Sequence, residues 1–243
     1  MGFINLNVLL LSLCFYKHSL TQKSNYFDKN KEYHYNVYYI NAENDTLTNE
    51  KIIFKPLGKS WFFQPLKQKA IKYVYFTDTF KYKMYVDPED LFNEMNQRHY
   101  KKKGRVCIYK SEITGGIDNE KIFYLHPPRI NQYRMLFYAS HPLIIYDFLT
   151  DTTCSFLNQN INIYGLGRPE QFYTISPSDN LLIDNIIVKT WNIFSTSKFE
   201  KLNSIYDSTL ESMFCKEFGF LKLHYTFKNN IKINFEFEKT VIL

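Results

Sequence analysis

Between residues 220 and 238 the chain alternates with a strict period of two. Leu221, Leu223, Tyr225 and Phe227 occupy one phase, and after Asn229-Asn230 the pattern resumes with Ile231, Ile233, Phe235 and Phe237. A period of two sends successive side chains to opposite faces, which is the geometry of a strand with one buried side. Asparagine tolerates positive φ, so Asn229-Asn230 can close a tight hairpin between the two runs. The same alternation recurs at 32–40, with Tyr33, Tyr35, Val37 and Tyr39 in phase. Composition supports this reading. Aromatic residues make up 18% of the chain, and alanine occurs only at positions 42, 70 and 139. Aromatic side chains fit a pleated surface, whereas alanine favours helices. The chain is therefore expected to be mainly β: a single antiparallel curved sheet, a partly closed barrel or a sandwich, with one or two short helices.

Further strands are expected at 72–76, 80–86, 143–149, 172–175 and 185–195. Short apolar pieces at 51–54 and 61–63 are split by Pro56 and Gly58. Gly115-Gly116 reads as part of a polar loop between strands at 106–109 and 121–125. Asp87-Pro88-Glu89-Asp90 can cap a helix that ends near Tyr100, where Lys101-Lys102-Lys103 suits the negative dipole end. No repeat or linker divides the 243 residues, so residues 20–243 are read as one domain behind a leader at 1–19.

That leader rests on the apolar run at 6–16, too short for a membrane span and of signal-peptide length. Within it, Leu11-Ser12-Leu13-Cys14 resembles a bacterial lipobox, which would make Cys14 a lipidation site. Export to the cell envelope, periplasm or medium follows as the expected location. The other cysteines, Cys107, Cys154 and Cys215, are widely spaced, and no Cys/His cluster points to a metal. The net charge of +6 is carried mainly by lysine, with five scattered arginines. Nucleic-acid readers concentrate arginine on one face, so no nucleic-acid partner is expected.

The chain contains no GxSxG, HExxH, GxxxxGK[ST] or GxGxxG signature, and no cofactor is expected. The most distinctive string is Leu125-His126-Pro127-Pro128-Arg129. Two prolines remove two amide donors and hold the chain extended. His126 and Arg129 could form a polar clamp for a carboxylate or phosphate, or could simply brace a rigid corner. Ser140-His141-Pro142 and Asp147 form a second polar knot. A hydrolase-like site would combine His126, Arg129, His141 and Asp147, although adjacent Ser140 and His141 in an extended segment point apart.

The leader, the 125–129 corner, Thr190-Trp191 in a late strand and the string 217–225 before a C-terminal strand resemble a group of exported proteins of the flavobacterial type. Where that group carries Pro-Phe-Pro, this chain has Ser140-His141-Pro142. The resemblance implies an envelope location and a mostly β fold, and it carries over no catalytic residue. The ending is also similar to envelope lipoproteins and lipid carriers whose curved sheet holds acyl chains. The function expected from the sequence is non-enzymatic binding of an apolar ligand such as a lipid, or of an envelope protein partner. Tyr33, Tyr35, Tyr39, Phe80, Tyr82, Phe235 and Phe237 are the candidate lining residues. The alternatives are the hydrolase-like site and a structural assembly module.

Overall fold

A computed structural model describes residues 26–61, 68–76, 111–119, 121–128, 143–158, 169–199 and 207–243. The described chain holds fourteen strands: β1 (Lys31–Ile40), β2 (Thr46–Ser60), β3 (Lys69–Phe76), β4 (Ser111–Asp118), β5 (Ile122–Leu125), β6 (Leu143–Ile145), β7 (Cys154–Asn158), β8 (Glu170–Pro177), β9 (Leu181–Ile183), β10 (Ile186–Val188), β11 (Trp191–Lys198), β12 (Ser208–Cys215), β13 (Gly219–Phe227) and β14 (Lys232–Ile242). Twelve form one antiparallel sheet in the order β6-β5-β4-β3-β2-β1-β14-β13-β12-β11-β8-β7, while β9 and β10 make a separate hairpin. The protein is mainly β, as expected.

The connectivity forces this sheet to curl. β6 and β7 lie at opposite edges, yet only residues 146–153 join them. A flat sheet of twelve strands would be about 50 Å wide at ~4.8 Å per strand. The nine steps from Ile145 to Cys154 reach at most about 32 Å when fully extended. The rings confirm the curl, because Phe123 on β5 lies 5.0 Å from Phe214 on β12 and 5.6 Å from Phe220 on β13. The two halves therefore fold over each other and enclose one core, but β6 and β7 do not pair, so the roll is not closed into a barrel. A single 3-10 turn, Tyr146–Phe148, opens the connection between the edges. This connection is tied down by Trp191 Nε1 donating to Thr150 O (3.1 Å) and by Cys154 Sγ donating to Phe148 O (3.2 Å).

Several elements differ from the sequence expectation. The piece at 51–54 belongs to one long strand, β2, which continues through Pro56 and Gly58 by shifting register between Pro56 and Ser60, while the piece at 61–63 lies past its end and all of it but Trp61 falls outside the described residues. Gly58 takes φ +66°, a left-handed conformation that suits such an irregularity. Gly115-Gly116 is no loop but the middle of β4, paired on both sides. A side chain at Gly116 would collide with the Phe27 ring, and one at Gly115 with Trp61 and Gln68. The strand expected at 143–149 gives way to the 3-10 turn after Ile145. The strand expected at 185–195 is two, β10 and β11, broken at Lys189-Thr190. The Asn229-Asn230 hairpin forms, with Asn230 at φ +60°. The strands at 80–86 and 106–109 and the helix at 87–100 lie outside the described residues, as do Cys14, Phe80, Tyr82, Cys107, Arg129 and His141.

Candidate functional site

His126 follows β5, where its N–H donates to Gly115 O (3.3 Å) and its carbonyl accepts from the Tyr73 hydroxyl. Its Nδ1 lies 3.3 Å from Pro127 O. Asp147 is exposed on the 3-10 turn. In the β5–β6 ladder Ile122 pairs with Ile145 and Tyr124 with Leu143. His126 therefore lies past one end of the ladder and Asp147 past the other. The run from Ile122 to His126 alone spans about 13 Å at the rise of a strand. The structure does not bring these two side chains together, and Arg129 and His141 lie outside the described residues.

Tyr33, Tyr35, Tyr39 and Phe235 face the core with no exposed surface, and Phe237 is half-buried. Their surfaces are taken up by one another and by neighbouring rings. Tyr33 stacks on Tyr26 at 4.3 Å, Tyr35 meets Phe54 at 4.4 Å and Phe237 at 5.8 Å, and Phe235 meets Phe54 at 6.3 Å. The Tyr35 hydroxyl donates to Phe220 O at 2.7 Å. Burial raises the pKa of the Tyr33 and Tyr35 phenols far above the ordinary value, so both are neutral donors.

Three acids share this interior, a feature that sequence reasoning missed. Glu50, Glu112 and Asp118 are buried, and each accepts from a tyrosine hydroxyl: Tyr39, Tyr75 and Tyr146, the last at 2.8 Å. Burial pushes the Glu50 carboxyl up to about 7, against which the Tyr39 hydrogen bond pulls more weakly. The signal was present in the sequence, since Glu50 shares its phase with Ile52 and Phe54.

The outer face of β7, β8, β11 and β12 is different in kind. Register sets Leu157 beside Phe172 and Thr196 in one row. The next row is Ser155, Thr174, Phe194 and Glu211, and a third is Ser176, Asn192 and Met213. Leu157, Phe172 and Phe194 remain 54%, 45% and 41% exposed. The centre of this face carries no charge. Charged groups stand at its margins, with Glu170 and Lys198 paired in register at one end and Glu211 and Lys222 on the far side. A shallow groove of about 380 Å³ runs along it, lined by Thr174, Ser176, Asn192, Phe194, Glu211, Met213 and Lys222 over Ile193 and Ser212. By contrast, the outer face of β1, β2 and β14 is crossed by ion pairs, Lys51 with Glu238 at 3.2 Å and Lys55 with Glu32.

No family model and no curated protein matches the chain. Among solved structures it is similar to a protein of Bacteroides fragilis named for export and for a YmcC-like fold. That match has a TM-score of 0.35 and 7% identity, over 88% of this chain and 96% of the other. It is also similar to a protein of Parabacteroides distasonis named as a lipoprotein, with a TM-score of 0.37 and 8% identity over 90% and 99% of the two chains.

Proposed function

We propose that the chain is an exported cell-envelope protein that acts by binding rather than catalysis, holding an envelope partner against the outer face of β7, β8, β11 and β12. Export rests on the leader-like run at 6–16. The observation that carries the binding surface is the apolar, uncharged centre of Leu157, Phe172 and Phe194 inside a charged margin. Contact surfaces are depleted of charge at the centre and enriched in aromatic side chains there, with a polar rim. A ligand held among Tyr33, Tyr35, Tyr39 and Phe235 would have to displace rings already in contact, so the outer face is the better seat.

The reading is tested by placing a photo-crosslinking amino acid at Phe172 in the full chain in cells, with Lys51 on the ion-paired face as the control position. Phe172 is expected to give a discrete adduct that Lys51 does not. Equal yields from the two positions, or none from Phe172, would refute it.

A further inference from the structure

We propose that the groove beside Phe194 binds a short saccharide. The inference rests on the outer face being the working surface, and it adds the chemistry of what that face holds. The walls of the groove supply hydroxyls from Thr174 and Ser176, an amide from Asn192, one carboxylate from Glu211 and one ammonium from Lys222. Its apolar side includes the ring of Phe194, which is 41% exposed, and the Met213 side chain.

Each feature narrows the ligand. A lipid tail needs a predominantly apolar lining, and here the ring of Phe194 and the Met213 side chain stand among polar neighbours. A phosphate or polyanion needs converging cations, and Lys222 is offset by Glu211. A pyranose ring offers what the lining complements: a C–H face for an aromatic ring and a rim of hydroxyls, each both donor and acceptor.

The polar groups are also held ready. Asn192 Nδ2 donates to Ser178 Oγ at 3.2 Å, which orients the amide and leaves its oxygen for a ligand hydroxyl. Thr174 Oγ1 lies 3.1 Å from Ser155 Oγ, so its position is braced as well. The Glu211 carboxylate and the Lys222 ammonium form no ion pair or side-chain hydrogen bond with any described residue. The volume of about 380 Å³ lies near the small end of ligand sites. All these side chains stand on paired strands, so the spacing of the groups is set by the ladder rather than by loops.

Saturation-transfer NMR on the full chain, with trisaccharides of N-acetylglucosamine, of β-linked glucose and of α-linked glucose at millimolar concentration, tests the proposal. At least one is expected to receive saturation on its ring C–H protons. Phe194→Ala should weaken that binding tenfold or more, Glu211→Gln should also weaken it, and Phe194→Trp should retain it. Phe194 is on the outer face, so its removal leaves the core intact. The proposal is overturned if no trisaccharide receives saturation, or if Phe194→Ala leaves binding unchanged. Loss of saccharide binding with crosslinking at Phe172 intact would remove the sugar and leave the partner surface; loss of both would remove the surface itself.

Discussion

Glu50 offers a quantitative test of the interior. It is opposite Val37 on the inner face, 7% exposed, with the Tyr39 hydroxyl as donor. Its carboxyl is raised from 4.5 to about 7 by burial. A carboxyl with a higher pKa folded than unfolded binds more protons in the native state, so its contribution is most favourable below about pH 4.5 and declines as pH rises to about 7. At about 1.4 kcal/mol per pKa unit a shift of this size is worth about 3 kcal/mol, most of it lost between pH 5 and pH 8. Glu50→Gln cannot ionise and keeps an oxygen for Tyr39. Its stability relative to wild type should therefore rise by about 2 to 3 kcal/mol from pH 5 to pH 8. Urea unfolding of both proteins at pH 5, 6, 7 and 8 measures this, and any pH-independent cost of the amide cancels in the comparison. A stability difference that stays flat across that range would show that Glu50 ionises freely in the folded state and that the interior is not dry around it.

Two further outcomes are expected. Gly219 has φ +74°, and a side chain there would overlap the Tyr26 ring, so Gly219→Ala should lower stability by more than about 2 kcal/mol in chemical denaturation. A neutral effect would mean that the turn into β13 relaxes freely. Cys215 is a buried free thiol pushed up to about 12, whereas Cys154 is only partly covered. Native alkylation at pH 8 followed by peptide mapping should label Cys154 well before Cys215, and equal labelling would contradict the packing around Cys215.

The parts of the fold that were legible in the sequence are those where one face alone is buried. β1, β13 and β14 announce themselves because Tyr33, Tyr35, Val37 and Tyr39, and then Leu223, Tyr225, Ile233 and Phe235, keep strict phase. β4 was hidden because its inner face is Glu112, Thr114, Gly116 and Asp118. Its glycines answer to Phe27, Trp61 and Gln68, which are distant in sequence. β2 was broken by Pro56 and Gly58, whose meaning as a register shift depends on the partner strand β3. The outer face was illegible for a related reason. Leu157, Phe172 and Phe194 are unremarkable singly, and only the pairing of β7 with β8 and of β8 with β11 sets them side by side. Of the four hydrolase-like candidates, only His126 and Asp147 are described, and the β5–β6 register that sets them past opposite ends of that ladder is encoded by no local pattern.

The pairing of β1 with β14 has a consequence for how the molecule is made. These strands come from opposite ends of the described chain, yet they lie side by side in the interior of the strand order, with ten strands beyond them. β14 is thus the seam that joins one half of the described sheet to the other. Without it, among the described residues no strand ladder joins β1–β6 to the half made of β7, β8 and β11–β13, and the rings of Phe123 and Phe214 have no fixed geometry in which to meet. A contact map dominated by such distant pairings folds slowly. For a chain exported as we propose, a sheet that closes only when β14 docks beside β1 would stay open, and so threadable through a membrane pore, until that pairing forms.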